Sequence, residues 1–301
     1  KLAEVKRIYD RVQAIQETVG AENQAAVAVV KDYSNIWDAK VDVWHQRLAW
    51  SSEEEIFLAS QLHHTPMDYV YLLEDTEVEE LTRYPVLIYP HGLILPKRKA
   101  ELLKLYVEKG GCLILGARTG QKDENGKCVM MPMPGLLAEA AGSDVREFTF
   151  VGPADDKVNM NWNGTLLDTG IFNDILEPIG SNAKVLAEYA GNYYKGRPAL
   201  IENSYGKGRV LHFGGTFTQE SVKALLEYVG VLKPYENIIE LPKNCEITVK
   251  KKEGKTYIFV LNYVEESQEI FIKKAVKDMD TKEQIQGKIC LEAYETKVYE
   301  V

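Results

Sequence analysis

Residues 25–32, AAVAVVKD, give the clearest strand signal in this chain. This stretch is an apolar run that ends at an aspartate, which is typical of a strand covered on both faces. Residues 67–73, 85–89 and 112–115 also read as strands. Helical patterns lie between the first and second of these four strands and between the third and fourth. This order of strands and helices predicts βαβ units. We therefore predict an α/β domain built on a mostly parallel sheet with helices on both faces.

Outward from this region, the periodicity changes toward both ends of the chain. Apolar residues recur at three- and four-residue steps through residues 1–19, which predicts an amphipathic helix. Because the chain starts at Lys1 inside this pattern, we expect it to be a piece of a longer protein. Beyond Pro234, apolar and polar residues alternate, which predicts antiparallel strands and a small β-sandwich. The predicted divisions of the chain are residues 1–22, 23–234 and 235–301.

The composition is that of a globular protein and argues against several classes of function. Of 301 residues, 45% are hydrophobic and 27% are charged, and the net charge is -9. This acidic balance argues against a nucleic-acid partner, which needs a concentrated positive field. No run approaches the roughly 20 apolar residues of a membrane helix, so we expect no membrane partner. The four widely spaced cysteines predict reduced thiols and a cytoplasmic location.

The sequence contains no recognisable catalytic or metal-binding motif. A nucleophile elbow needs Ser or Cys between glycines after a strand, but residues 116–120 read GARTG. The histidines lack cysteine or carboxylate partners at the spacing of metal ligands. The sequence pattern does not identify a pair of carboxylates that could carry out the acid/base chemistry of a glycosidase. We therefore predict no catalytic residue, no metal and no cofactor in this chain.

The loop after the first predicted strand has the strongest functional signal. It begins at Asp32 and leads into three tryptophans within fourteen residues, Trp37, Trp44 and Trp50. Ligands bind at the carboxyl ends of strands in an open α/β sheet, but tryptophans are also interface anchors or ordinary core residues. An interface, a core and direct sugar stacking are all open interpretations of this cluster.

A second loop leaves the carboxyl end of the fourth predicted strand and should face the same side of the sheet. This loop carries Arg118 and Asp123. Together with Asp32, Trp37 and Trp44, these two residues are the candidates for substrate or interface contacts. We expect this side of the sheet to carry a subunit contact, with Trp37 and Trp44 as anchors.

Several segments, taken in order, resemble the β-galactosidases of glycoside hydrolase family 42 over nearly the whole chain. The segments similar to that family's middle domain are AVVKDY from residue 28 with Trp37, LLKLYVEKGG from residue 102, GQKDENG from residue 120 and GRPA from residue 196. The tail from Pro242 to Asn262 resembles the family's small carboxyl-terminal β-domain.

This resemblance implies a parent protein in three parts: a catalytic TIM barrel, a trimerisation domain and the β-domain. It implies a flavodoxin-like middle domain, similar in fold to class I glutamine amidotransferases, and makes residues 1–22 the linker helix from the barrel. The family's acid/base and nucleophile glutamates belong to the barrel, so we expect this chain to be inactive alone. The parent is expected to be a homotrimer that hydrolyses terminal non-reducing β-D-galactose residues, with the galactoside bound by the barrel.

Two hypotheses of function follow. In the first, the chain is the non-catalytic, oligomerising carboxyl-terminal portion of a β-galactosidase. In the second, it is a stand-alone amidotransferase-like enzyme or a sugar-binding protein. The missing nucleophile at residues 116–120 favours the first hypothesis.

Overall fold

The computed structural model describes residues 1–152 and 155–301. Its α-helices are α1 (Leu2–Ala14), α2 (Tyr33–Asp38), α3 (Val43–Leu62), α4 (Val78–Leu81), α5 (Lys97–Glu108), α6 (Ala138–Ala141) and α7 (Gln219–Val229). Its strands are β1 (Glu22–Asn23), β2 (Val27–Lys31), β3 (Met67–Tyr71), β4 (Val86–Tyr89), β5 (Cys112–Leu115), β6 (Ser143–Phe150), β7 (Asn159–Trp162), β8 (Thr165–Asp168), β9 (Phe172–Pro178), β10 (Ala183–Tyr189), β11 (Pro198–Tyr205), β12 (Gly208–Phe213), β13 (Ile239–Glu240), β14 (Cys245–Lys252), β15 (Lys255–Asn262), β16 (Gln268–Asp278), β17 (Gln284–Leu291) and β18 (Thr296–Glu300). Within the described ranges, none of the helices has the length and apolar character needed to cross a membrane.

The chain divides into two compact units. The larger unit contains Val27–Ala59 and Tyr69–Gly230, and the smaller contains Lys1–Ala26, Ser60–Asp68 and Val231–Val301. The domain limits expected from the sequence, after residues 22 and 234, stay predictions.

The larger unit contains a nine-stranded mixed sheet in the order β3-β2-β4-β5-β12-β11-β10-β7-β8. The ladders β2–β4, β4–β5 and β5–β12 are parallel. The ladders from β12 through to β8 are antiparallel, and β6 pairs with β9 in a separate antiparallel sheet. The apolar runs seen in the sequence form β2, β4 and β5, and nearly every residue in these strands is buried.

The predicted mostly parallel, flavodoxin-like sheet with helices on both faces is wrong, and so is the amidotransferase-like architecture. Strands account for 36% of the chain and helices for 25%, and the sheets are mixed or antiparallel. Among the residues that the structure describes, no α-helix lies between consecutive strands from β6 to β12. A parallel pair needs a crossover of about a dozen residues or more, so these short connections favour antiparallel neighbours.

The hairpin β7–β8 differs from what the sequence predicts. The composition of residues 159–172 predicts a loop with short extended pieces, but this segment includes β7 and β8. Asn163 and Gly164 have φ angles of 52° and 86° between the paired residues Trp162 and Thr165. An Asn-Gly pair with two positive φ angles is the turn whose twist matches a two-residue hairpin. The Asn-Gly dipeptide is therefore the sequence signal that indicates this hairpin.

Helix α5 packs on the sheet of the larger unit and positions a residue of the candidate site. Its buried residues Leu103, Tyr106 and Val107 join the apolar core beside Leu113 and Val210 of the sheet. Lys99, in the first turn of the same helix, is only 6% exposed. The packing of α5 therefore carries a buried ammonium group toward the polar end of the sheet.

The smaller unit contains a seven-stranded antiparallel sheet in the order β1-β14-β15-β18-β16-β13, with β17 paired to β16. Buried and more exposed residues alternate along β14. The buried positions form an apolar core that includes Ile247, Val260, Ile272 and Leu291. None of the residues of α1 is buried.

Candidate functional site

The candidate residues lie around the carboxyl ends of β2, β4 and β5. Asp32 follows β2 directly and is the N-cap of α2, where its Oδ1 accepts a hydrogen bond from the backbone N–H of Ser34 at 2.9 Å. A short polar side chain at this position satisfies an N–H group that the first helical turn leaves unpaired. The chain therefore turns from strand to helix at Asp32, and this holds the carboxylate at the end of the sheet.

The Asp32 carboxylate is buried and engaged in a polar network. Lys99 donates to Oδ1 at 2.7 Å, and the Tyr89 hydroxyl donates to Oδ2 at 3.0 Å. The Asn35 amide also donates to Oδ2, at 3.1 Å. A buried ion pair is tolerated when such hydrogen bonds compensate for the lost hydration of the two charges. Asp32 thus ties together β2, α2, β4 and α5.

Arg118 occupies the turn after β5, where a nucleophile elbow would place its Ser or Cys. Its φ of 65° lies in the left-handed region, which costs a residue with a Cβ about 1–2 kcal/mol. Two anchors hold this conformation. The backbone N–H donates to Asp174 Oδ2 at 2.7 Å, and the guanidinium group contacts both carboxylate oxygens of Asp42, at 3.1 and 3.2 Å. A strained turn is therefore present, but it presents a guanidinium group.

Ion pairs join the loop after β2 to the loop after β5. Lys122 lies 3.0 Å from Asp38 and 3.3 Å from Asp42, and Arg118 pairs with Asp42. None of these four side chains is more than 17% exposed. The prediction that the two loops face the same side is confirmed by these contacts. The cluster carries two positive and two negative charges, so it has no net charge.

The pKa values of two carboxyl groups here shift in opposite directions. Burial raises the pKa of Asp42, but hydrogen bonds from Arg118, the backbone N–H of His45 and Lys122 outweigh it and hold this pKa well below its ordinary value. Burial raises the pKa of Asp174 to about 7, against the hydrogen bond from the Arg118 backbone. Among the described residues, Asp174 Oδ1 has no hydrogen-bond partner. Near pH 7, Asp42 is therefore charged and Asp174 is close to its titration midpoint.

A cavity of about 160 Å³ lies at the ends of β2 and β4. Its polar and aromatic lining includes Asp32, His45, Trp50, Glu53, Tyr89 and His91. Burial lowers the pKa of His45 to about 4 and that of His91 to about 3, so both imidazoles are neutral at pH 7.

The His91 ring forms a hydrogen bond with Ser52, and this contact has a structural role. Its Nε2 lies 2.7 Å from Ser52 Oγ, and its Nδ1 lies 2.8 Å from the carbonyl oxygen of Ala117. The carbonyl oxygen requires a proton on Nδ1, which leaves Nε2 to accept the Ser52 hydroxyl proton. Ser52 is fully buried and also accepts a hydrogen bond from the Phe217 N–H at 3.0 Å. A hydroxyl held in this way links α3 to two loops and is not placed to attack a substrate.

The other candidates from the sequence do not line this cavity. Trp37 is 62% exposed and stacks on Tyr33 with 5.9 Å between ring centroids. Trp44 is 45% exposed and packs against Phe150 at 4.4 Å. These exposures exclude the core interpretation for both tryptophans. The Oδ1 of Asp123 accepts the N–H groups of residues 125 and 127 and so stabilises its own turn.

Sequence reasoning missed His91, Asp42 and Asp174. The partners of His91 are 39 and 26 residues away in the sequence, and Asp174 is 56 residues from Arg118. A local sequence pattern cannot reveal contacts between residues this far apart in the sequence. Asp42 left one signal, because it lies four residues after Asp38, and this spacing puts two carboxylates on one side of a helical turn.

Comparisons with known families match both parts of this chain to one class of protein. The family model of the β-galactosidase trimerisation domain matches residues 25–231. The model of the β-galactosidase C-terminal domain matches residues 244–300.

Individual relatives agree with this match. Beta-galactosidase LacZ of Lactobacillus acidophilus is 31% identical over 248 residues, covering 81% of this chain and 36% of the relative. Beta-galactosidase BgaB of a Geobacillus species is 28% identical over 263 residues, covering 86% of this chain and 38% of the relative. The chain therefore spans less than half the length of these relatives.

Solved structures show the same fold. A catalytic mutant of Gan42B, a GH42 β-galactosidase from G. stearothermophilus, superposes with a TM-score of 0.84 at 22% identity, over 99% of this chain and 43% of that one. The β-galactosidase from Bacillus circulans sp. alkalophilus gives a TM-score of 0.79 at 23% identity, over 96% of this chain and 43% of that one.

Proposed function

We propose a non-catalytic, oligomerising role for this chain, which belongs to glycoside hydrolase family 42 and corresponds to the trimerisation and C-terminal domains of its β-galactosidases. The match of residues 25–231 to the trimerisation domain is the observation that carries the proposal. In the proposed parent protein, three copies associate through this domain, and a separate barrel hydrolyses terminal non-reducing β-D-galactose residues. We assign residues 1–22 to the linker from that barrel, and the free cysteines favour a cytoplasmic location.

An exposed row of stacked aromatic rings supports a subunit contact at the edge of the nine-stranded sheet. Tyr33 stacks on Trp37 and on Tyr71, with centroid distances of 5.9 and 5.4 Å. Tyr71 belongs to β3, which is an edge strand of the sheet, and each ring belongs to a residue at least 42% exposed. Clustered exposed aromatic side chains are typical of protein interfaces. We call this row the Trp37 patch.

A second aromatic patch supports the same proposal. Trp44 packs on Phe150, and the guanidinium group of Arg47 lies 5.3 Å from the centre of the Trp44 ring. In a closed trimer each contact joins two different surfaces, because the threefold operation is heterologous. A trimer therefore needs two complementary patches on one subunit. We propose the Trp37 patch and the rings and guanidinium group around Trp44, which we call the Trp44 patch, as that pair.

Analytical ultracentrifugation of the 301-residue chain tests this proposal. Wild type is expected to sediment as a trimer. Trp37→Ala and Trp44→Ala should each weaken association by about 2 kcal/mol or more, the usual cost of truncating an interface anchor.

Tyr263→Ala removes an exposed aromatic ring outside both patches and is the matched control, for which we expect the wild-type mass. Circular dichroism confirms folding of each variant. The proposal for these anchors is overturned if both tryptophan variants are folded and keep the mass of wild type.

A further inference from the structure

The cavity at the ends of β2 and β4 lies where the strand order reverses. β2 precedes β3 and β4 in the chain, yet it lies between them in the sheet. The connections that leave β2 and β4 therefore diverge and open a crevice at the carboxyl ends of these two parallel strands. Open sheets with parallel strands bind ligands in a crevice of this kind.

The cavity has the volume of one small ring. Its 160 Å³ compares with roughly 150 Å³ in a protein cavity that holds a single benzene molecule. The volume therefore matches the ring atoms of one six-membered ring, whose substituents would reach the open side of the cavity, and it is too small for a whole disaccharide or nucleotide. This volume sets an upper limit on the part of any ligand that enters the cavity.

The carboxylates of the lining are paired with ammonium groups, so the lining has no net charge. Asp32 is neutralised by Lys99 at 2.7 Å, and Glu53 is neutralised by Lys31 at 2.6 Å. The rings of His45 and His91 are neutral because burial lowers their pKa values to about 4 and about 3. A charged ligand finds no unpaired counter-charge among these residues, and it would lose hydration on entry. A neutral ligand with hydrogen-bonding groups avoids that cost.

Two features of the wall suit a hydroxylated ring in particular. Trp50 lines the cavity and is 73% exposed, and an exposed indole can pack against the C–H groups of a sugar ring. Among the described residues, the buried Nδ1 of His45 has no hydrogen-bond partner. An unpaired buried nitrogen costs free energy that a hydroxyl group could recover.

We propose that this cavity binds a neutral, hydroxyl-rich six-membered ring, a single pyranose unit, with Trp50 against the ring face and His45 in the inner wall. The site goes beyond the oligomerising function proposed above. Neither proposal depends on the other, because binding at the cavity and subunit association are measured independently.

Saturation-transfer NMR of the 301-residue chain with D-galactose and D-glucose tests the site. We expect transfer from wild-type protein to at least one sugar at millimolar concentration. The anion D-galacturonate should bind about tenfold more weakly than the neutral sugar of the same configuration, because its carboxylate meets no free counter-charge.

Two variants assign the binding to this cavity. Ala49→Phe fills the cavity, and Trp50→Ala removes the ring platform. Each should weaken binding by about tenfold or more. Tyr263→Ala removes an exposed aromatic ring that neither lines the cavity nor belongs to either aromatic patch, and it should bind as wild type does. If Ala49→Phe does not fold, the comparison of Trp50→Ala with Tyr263→Ala decides. The proposal is overturned by absence of transfer from wild type, or by equal binding in Trp50→Ala and Tyr263→Ala.

Discussion

The carboxyl group of Asp174 on β9 is fully buried. Within the part of the chain that the structure describes, it has one hydrogen bond. Its Oδ2 accepts the backbone N–H of Arg118, and its own backbone oxygen accepts the hydroxyl of Tyr189 at 2.8 Å. Burial raises its pKa from 3.8 to about 7. The folded chain therefore holds a proton that the unfolded chain releases near its ordinary pKa. The contribution of Asp174 to stability is present at low pH and is lost as the pH rises toward about 7.

Asp174→Asn should remove this pH dependence. The amide oxygen can still accept the Arg118 N–H, and the variant has no proton to release. We expect wild type and Asp174→Asn to be similar in stability near pH 4. The variant should be more stable near pH 8, by at most roughly 4 kcal/mol for a shift of this size. Urea unfolding across this range measures the difference.

The difference between variant and wild type is the informative quantity, because the buried histidines act in the opposite sense. Burial lowers the pKa values of His45, His91 and His212, so their contributions to stability are lost as the pH falls below about 6.5. Asp123→Asn, at a more exposed loop position, is the matched control. An Asp174→Asn variant with the same pH slope as wild type would show that Asp174 is not protonated in the fold.

At the scale of elements, the β11–β12 hairpin depends on a glycine for two separate reasons. Gly206 follows Tyr205, which pairs with Gly208, and it has a φ of 58°. A Cβ built at Gly206 would lie 2.5 Å from the Cα of Glu108, which belongs to α5. Gly164 in the β7–β8 hairpin has a φ of 86°, but a Cβ there meets no atom within 4 Å. A Cβ would cause backbone strain in both hairpins, but it would cause a steric clash only at Gly206.

Gly206→Ala should destabilise the chain more than Gly164→Ala. Both variants incur the left-handed strain of about 1–2 kcal/mol, and Gly206→Ala adds a clash with the backbone of α5. We expect the clash to contribute about 1–3 kcal/mol more, as other overpacking substitutions do. Urea unfolding of both variants at one pH gives the comparison. Equal losses would show that α5 moves aside without cost.

At the scale of the whole molecule, the polar groups of the candidate site are committed to holding loops together. Asp42 pairs with Arg118, Asp32 pairs with Lys99, and the hydroxyl of Ser52 bridges His91 and Phe217. The position after β5 that would hold a nucleophile holds Arg118. We therefore expect the 301-residue chain to be catalytically silent.

Assays on a chromogenic β-galactoside and on glutamine measure this directly, and both should match the buffer blank. A complete β-galactosidase and a glutaminase serve as positive controls. Hydrolysis of the galactoside that is lost in a glutamate variant such as Glu53→Gln would refute the non-catalytic proposal. Turnover of glutamine would instead support the amidotransferase-like alternative that the fold argues against.

Local patterns in the sequence were enough to predict the buried strands, one hairpin and the family of this protein. The apolar runs at residues 25–30, 85–89 and 112–115 predicted β2, β4 and β5, because a strand buried on both faces needs apolar side chains at every position. Residues 205–208, YGKG, join two predicted strands and so predict a hairpin turn, which the β11–β12 pairing confirms. Segments such as LLKLYVEKGG also pointed to family 42, and the domain matches confirm that assignment.

The pairing of β10 with β11 and the chemistry of the site depend on the tertiary structure. The apolar residues along these two strands are compatible with either direction of pairing, and the folded chain pairs them antiparallel. The pKa of Asp174 and the pairing of Asp42 with Arg118 depend on groups 56 and 76 residues away. The physical reason is one of range: periodicity and turn propensity act within a few residues, whereas desolvation and ion pairing act between residues that only the folded chain brings together.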